Sequence, residues 1–274
     1  MSTTTRVAAW QCRPGPLDVP GNLRRLDAIC AQAAAQQVKV LVTPEMFTSG
    51  YGLAPEQVLT LAEDAGGPTE AAVAQIARRH RLAIVYGHPE RAPGGGAYNA
   101  ATMVGPDGVV RGRHRKVHLF GDVDRRLFVP NPAPPAAFDV DDARVGILIC
   151  YDVRFPEHAR ALTARGADLI LVPAGWAAGL FKEEHWVTLV RARAIENTVW
   201  VAAADQVPDP TEPATRAPTG SGRSMLVDPM GTVRLDLGPR PGIAVGDVDT
   251  AVTAEVRAIL PSLEHRREDL FGRA

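Results

Sequence analysis

An apolar run, Val145-Gly146-Ile147-Leu148-Ile149, ends on a thiol, Cys150, and Tyr151-Asp152-Val153-Arg154-Phe155-Pro156-Glu157 follows at once. Apolar residues in succession, not in alternation, mark a strand covered on both faces, so the run reads as a buried parallel strand. Phe155-Pro156-Glu157 reads as a helix start, because Pro in a first turn forfeits no hydrogen bond and its φ is already helical. Strand, turn and helix in that order are the pieces of an α/β fold. They also place Cys150 at the carboxyl end of a core strand, where open α/β folds put reactive groups. A helix amino terminus and nearby cations lower a thiol's pKa and improve it as a nucleophile. A lone cysteine is more often a buried structural thiol, so the rest of the chain has to decide between the two.

Elsewhere strand-like runs alternate with helical ones. Arg6–Gln11 reads as a strand, Gly21–Gln37 as an Ala-rich amphipathic helix and Val38–Val42 as the next strand. Pro68–Arg81 reads as a helix with Glu70 in its first turn and Arg78, Arg79 and His80 in its last, as the macrodipole prefers. Leu82–Tyr86, Asn99–Val104 and Val109–Val117 read as strands, the last two joined by the turn Gly105-Pro106-Asp107-Gly108. Phe120–Ala137 reads as a long loop, rich in Pro and charge, of the kind that is usually functional or mobile. Helices over Pro156–Arg165 and Glu183–Asn197 flank a strand at Asp168–Pro173, and a strand at Thr198–Ala204 leads into a Pro-rich loop, Pro208–Thr219. A second hairpin, Ser224–Asp228 with Thr232–Asp236, is followed by a strand at Ile243–Val248, a helix at Thr250–Leu260 and a charged tail. No composition shift marks a linker and no repeat of solenoid period appears, so residues 1–274 are expected to form one domain, with helices packed outside sheets.

The 274 residues carry a formal charge of −1, which gives no electrostatic case for nucleic acid or an anionic membrane as partner. Cys12, Cys30 and Cys150 have no paired spacing, against a disulfide framework. No signal peptide precedes the first strand and no apolar stretch is long enough to span a bilayer, so the expectation is a soluble, cytoplasmic protein.

Two further groups stand at strand ends. Glu45 follows Leu41-Val42-Thr43-Pro44, where Pro44 removes a ladder donor and stops the strand. Its apolar neighbours Met46 and Phe47 would raise its pKa, as suits a general base; the plainer reading is a solvated acid. Lys116 closes a basic run, Arg111, Arg113, His114 and Arg115, of the kind that is most often a solvated face. Strand parity separates it from that face: Lys116 shares a side with His114 and His118, while Arg113 and Arg115 point the other way. An inward ammonium can stabilise an oxyanion. Glu45, Lys116 and Cys150 together are the parts needed to cleave an acyl bond through a thioester.

At this point the chain resembles the nitrilase superfamily of carbon–nitrogen hydrolases, whose catalytic set is Glu, Lys and Cys. Pro44-Glu45-Met46-Phe47 is similar to the segment carrying the base, Arg115-Lys116-Val117-His118-Leu119-Phe120 to the lysine segment, and Ile149-Cys150-Tyr151-Asp152-Val153-Arg154-Phe155-Pro156-Glu157 to the nucleophile elbow. Tyr98-Asn99-Ala100, Pro173-Ala174-Gly175-Trp176, Ala192–Asn197 and Gly222–Gly231 match further segments in the same order. The resemblance implies a four-layer αββα sandwich, a homodimer or higher homo-oligomer built on the helices near Pro156–Arg165 and Glu183–Asn197, and no cofactor or metal. Tyr151 after the cysteine is similar to the amidase branches, which implies a small aliphatic or amino-acid-like amide as substrate, with N-carbamoyl and nitrile compounds as alternatives. The family usually carries a second glutamate after the lysine; here Asp124 takes that place, one methylene short, with Asp122 the substitute should the alignment shift. Phe120, Tyr151, Arg154, Trp176 and Glu183 are expected to line or support the pocket.

Rival chemistries are weaker. His88, His114, His118, His158 and His185 offer a Cys–His pair no recognisable orienting motif. His114-x-x-x-His118 has a metal-like interval, yet no third ligand stands nearby in the sequence. Gly220-Ser221-Gly222 lacks the strand–turn–helix setting of a serine nucleophile. A catalytically silent binding or scaffold protein would have no use for an intact Glu45–Lys116–Cys150 set.

Overall fold

The structure, a computed structural model, describes residues 4–140, 143–208 and 220–272. In chain order the elements are β1 (Thr4–Gln11), α1 (Val19–Ala35), β2 (Val40–Val42), α2 (Pro55–Leu61), α3 (Pro68–His80), β3 (Ala83–Arg91), β4 (Ala97–Val104), β5 (Val110–Arg115), α4 (Gly121–Leu127), β6 (Ala137–Val140) and β7 (Ala143–Ile147). After a 3₁₀ turn over Cys150–Arg154 come α5 (Pro156–Ala164), β8 (Leu169–Pro173), α6 (Lys182–Asn197), β9 (Trp200–Ala204), β10 (Met225–Val227), β11 (Val233–Asp236), β12 (Gly242–Asp249), α7 (Thr250–Ile259) and α8 (Glu268–Phe271).

The strands form two six-stranded sheets, ordered β12-β1-β2-β3-β4-β5 and β6-β7-β8-β9-β10-β11. The two orders are one pattern used twice: three parallel strands, an antiparallel pair on one side and one antiparallel strand on the other. Between the sheets lies the main core, where Val7, Val40, Val42 and Val85 of the first sheet meet Val145, Ile147, Leu169 and Leu171 of the second. Burying each such side chain stabilises the fold by roughly 1.5–3 kcal/mol, and the central strands β2, β8 and β9 accordingly read as unbroken apolar runs. Leu26, Cys30 and Ala33 of α1 and Val73, Ile76 and Ala77 of α3 cover the outer face of the first sheet. Leu162 of α5 and Trp186, Val190 and Ala194 of α6 cover the second. The layers are α, β, β, α, as the resemblance implied.

Helix ends follow local chemistry. The Asp18 carboxylate accepts the Gly21 N–H at 2.9 Å to cap α1, and α3 and α5 each open on Pro. Two expectations are corrected, and a helix went unread. Phe120–Ala137 is not one loop: its first part winds into α4, Ala137 begins β6, and only the Pro-rich stretch between stays irregular. α2 went unread because Pro55–Leu61 is a single short amphipathic turn pair with one buried residue, Val58. β5 stops at Arg115, one residue before Lys116. The Pro-rich loop expected over Pro208–Thr219 lies, apart from Pro208, outside the described residues.

Candidate active site

Glu45, Lys116 and Cys150 each sit just past the carboxyl end of a strand, β2, β5 and β7 respectively. Facing the two sheets brings these three ends together. Lys116 is 1% exposed and Glu45 0%. The Lys116 ammonium donates to Glu45 Oε1 at 2.8 Å and to Asp124 Oδ2 at 2.8 Å. Parity held: Arg113 and Arg115 turn the other way, onto Glu70 and Glu90. Burial acts to lower the Lys116 pKa, but the carboxylates of Glu45 and Asp124 overcome it and hold the ammonium well above its ordinary value.

The surroundings of Glu45 correct the sequence reading. Its carboxylate meets donors, not the rings and chains of Met46 and Phe47: Asn99 Nδ2 at 2.7 Å, Lys116 Nζ, and the Gly175 N–H at 2.9 Å on the other oxygen. Gln206 Nε2 fixes its carbonyl at 2.9 Å. The turn carrying Glu45 also lies against β3 so closely that a Cβ on Gly87 would stand 2.5 Å from the Met46 nitrogen and 2.7 Å from the Pro44 oxygen.

Cys150 opens the 3₁₀ turn with φ +46°, a left-handed conformation that L residues adopt at a cost of about 1–3 kcal/mol. Asp152, fully buried, holds the turn by accepting the Ile149 N–H at 3.1 Å and, from the lysine segment, the His118 N–H at 2.9 Å. The expected lowering of the thiol pKa is also corrected. Burial raises it, Glu45 adds to that, and Lys116 and the Gly175 N–H offset only part, so the resting group is a thiol. A helix start contributes little here, since a 3₁₀ turn separates Cys150 from α5.

Asp124 points inward and Asp122 outward. The short acid reaches Lys116 directly because α4 carries it close; its carboxylate also accepts the Phe120 N–H at 3.1 Å and the Tyr51 hydroxyl at 2.8 Å. Beside this group opens a cavity of about 190 Å³ lined by Lys116, Asp124 and Cys150, with walls of Tyr51, Phe120, Tyr151 and Trp176 and with Arg154 and Lys182. Glu183 is not part of it. One residue further round α6 than Lys182, it is turned away and pairs with Arg223. Sequence reasoning missed the roles of Tyr51, Asn99, Gly175 and Lys182; Asn99 and Gly175 stand in quoted motif segments, while Tyr51 and Lys182 carry no local signal.

The histidines do not serve the thiol. His88 bonds Thr102 at 2.7 Å, and His114, His118 and His158 gather on Asp152. The metal-like pair of the sequence, His114 and His118, is not the group that forms: Asp152 and His158 arrive beside His114 from other elements, and His118 is not one of that trio.

A family model for carbon–nitrogen hydrolases matches residues 6–258. The chain belongs to that family. The hydrolase is 38% identical to a hydrolase of Pseudomonas protegens over 269 residues, 98% of this chain and 91% of that one. It is 32% identical to the 2-oxoglutaramate amidase of Bacillus subtilis over 244 residues, 86% and 88% of the two chains. Among solved structures it is similar to the Nesterenkonia amidase of the nitrilase superfamily, with TM-score 0.83, 31% identity and coverage of 97% and 95%. A structure of a glutamate-to-glutamine mutant of that amidase shows covalent addition of the acetamide moiety of fluoroacetamide at the active-site cysteine.

Proposed function

We propose that this carbon–nitrogen hydrolase cleaves a small primary amide whose far end carries a carboxylate, with Cys150 as nucleophile, Glu45 as general base and acid, Lys116 as oxyanion donor and Asp124 as the group that orients Lys116. The observation that carries the reading is one cavity lined by Lys116, Asp124 and Cys150, with Glu45 bonded to Lys116 and two cations beside apolar walls. Arg154 lies 4.6 Å from the Trp176 ring centroid and Lys182 5.1 Å from that of Phe120. Among the described residues neither cation has a carboxylate partner, and a ligand carboxylate would supply one. The cavity is smaller than the roughly 300–1,000 Å³ clefts of drug-sized ligands, which supports a short acyl chain. The Bacillus subtilis relative, by its name, acts on 2-oxoglutaramate, an amide of this kind.

The chemistry runs from a neutral thiol. As Cys150 attacks the amide carbon, Glu45 takes its proton, so no free thiolate has to exist in a site that raises its pKa. The developing oxyanion meets the Lys116 ammonium and the Tyr151 N–H. Glu45 returns the proton to the leaving ammonia. A water, deprotonated by Glu45, then hydrolyses the thioester to the acid and frees the thiol. No step calls for a metal or organic cofactor.

Free, buried thiols at Cys12, Cys30 and Cys150 support a reducing compartment, the cytoplasm. A homodimer over the α5–α6 side is part of the same reading; Ile195 of α6 and Met230 beside it leave apolar surface exposed there. Sedimentation of the full chain tests it, and a monomer would exclude it. The enzymatic reading is tested by ammonia release from paired amides, one ending in a carboxylate and one in its methyl ester. The anionic member is expected to have the higher kcat/KM, and Arg154→Ala and Lys182→Ala to raise KM for it alone. The corresponding nitrile should turn over more slowly than the amide. Cys150→Ala should abolish turnover, and mass spectrometry with a slow substrate should place the acyl group on the Cys150 peptide. Equal use of ester and acid overturns the carboxylate, and acylation at Cys12 or Cys30 overturns the nucleophile.

A further inference from the structure

Behind the nucleophile turn, away from the cavity, three side chains from three elements converge: His114 of β5, Asp152 of the 3₁₀ turn and His158 of α5. All three are buried, His114 and His158 at 3% exposure and Asp152 at 0%. Their ligand atoms all lie within 4.8 Å of one another. His114 Nε2 is 3.2 Å from Asp152 Oδ2, and His158 Nδ1 is 3.7 Å from Asp152 Oδ1. Two imidazoles and a carboxylate around a tetrahedral divalent ion at roughly 2.0–2.1 Å stand about 3.3 Å apart. Both imidazoles are thus near ligand spacing from Asp152, but on different carboxylate oxygens, so the carboxylate would bind through both or turn to present one.

His158 supplies the second observation. Neither of its ring nitrogens has a hydrogen-bond partner in the protein, though both are buried. A buried imidazole without partners is costly, and the hydrogen-bonding needs of the turn do not explain it. Ile149 and His118 satisfy Asp152 from the backbone, and the His118 ring adds a bond at 2.8 Å. These contacts orient the carboxylate as outer-shell partners orient a metal ligand. A separate cavity of about 270 Å³ borders this segment of β5, lined in part by Arg113, His114, Asn131 and Pro134.

We propose that His114, Asp152 and His158 bind a divalent ion of the zinc class, with water in the fourth position, and that the ion clamps the Cys150 turn to β5 and α5. The donor set is two borderline nitrogens and one hard oxygen, which suits Zn²⁺ or Co²⁺ and not Ca²⁺ or Mg²⁺. The site is structural. It faces away from the substrate cavity and takes no part in the thioester chemistry, so it stands or falls independently of the substrate proposed above.

The test uses the chelator-treated full chain, titrated with Co²⁺. One equivalent is expected to give visible d–d bands without a thiolate charge-transfer band, and Zn²⁺ to displace it. Paramagnetic broadening should reach the ring resonances of His114, His118 and His158 and spare His88 and His185. His158→Gln should weaken binding at least 10-fold and abolish the rise in Tm that Zn²⁺ produces in the parent. His114→Asn repeats the measurement should that variant fail to fold, and the broadening pattern of the parent needs neither. Absent d–d bands, or unchanged affinity in His158→Gln, would mean that the cluster holds water only and would overturn the site. Loss of the signal in Cys150→Ala would overturn it too, by placing the ion on the thiol.

Discussion

Lys116 is an ammonium shared by two buried carboxylates, and under the proposed mechanism, in which it is the oxyanion donor, its removal has two separable effects. Losing an oxyanion donor costs roughly 10²–10³ in kcat, while leaving Glu45 and Asp124 uncompensated costs about 3–5 kcal/mol of stability. Lys116→Ala should show both. Arg113→Ala, whose partners are Glu70 and Glu90 on the far side of the strand, should lose stability and keep kcat. Asp124→Asn tests orientation: it retains an acceptor for the Tyr51 hydroxyl but loses the charge facing Lys116. Misorienting a catalytic group costs on the order of 10² in rate, so kcat should fall about that far. Asp122→Asn, on the exposed side of α4, should do little. Steady-state kinetics beside urea unfolding separate the outcomes, and equal kcat losses in Lys116→Ala and Arg113→Ala would reduce the basic run to bulk charge.

At the scale of elements the site depends on how closely one turn lies on one strand. Gly87 on β3 keeps room for the backbone of Pro44, Glu45 and Met46. A methyl there meets backbone atoms, which cannot rotate away. Gly87→Ala should therefore push the Glu45 turn off β3, lower kcat by about 10² and destabilise by roughly 1–3 kcal/mol. Gly112 on β5 is the control: the nearest atoms a Cβ there would meet belong to the Phe138 ring, at 2.1 Å. Gly112→Ala should cost stability and spare kcat. Matched kcat losses in the two variants would show that the rate follows general packing strain and not the placement of Glu45.

For the whole molecule, the end of β9 ties the second sheet to the site through a buried acid. Asp205 accepts the Trp176 N–H at 2.7 Å and the Ser221 N–H at 3.0 Å. Burial nevertheless pushes its pKa up to about 7, against 3.8 for an ordinary aspartate, with those donors offsetting part of the effect. The folded state thus holds this proton where the unfolded chain has released it. Stability from this group is full below about pH 4 and declines as pH rises to about 7. At roughly 1.4 kcal/mol per pKa unit, the decline amounts to a few kcal/mol. Urea midpoints measured from pH 4 to 8 should fall more steeply in the parent than in Asp205→Asn. Parallel curves would show that Asp205 is ionised throughout.

Apart from α2, α4, β6 and α8, strand and helix order was legible from residues alone, as were the inward side of the Lys116 segment and the strand-end positions of Glu45 and Cys150. Each is a local property: apolar succession, a period of two, a Pro that stops a ladder. The αββα layering came from family resemblance and not from pattern, since alternating strands and helices do not say how two sheets face. The repetition of one strand order in both sheets has no trace as a sequence period. What the local reading missed depends on residues far apart in the chain. Glu45 looked apolar beside Met46 and Phe47, but Asn99, Lys116 and Gly175 arrive from 54, 71 and 130 residues away. Cys150 looked activated by a helix and cations, but burial and the nearby Glu45 govern its proton. His114 was read with His118, but Asp152 and His158 are the groups that fold against it. Sequence by itself determined which groups stand at strand ends, because backbone pairing and side-chain alternation are near-neighbour physics. Only the tertiary structure decided which charges face each other, because electrostatics and desolvation act through space and not along the chain.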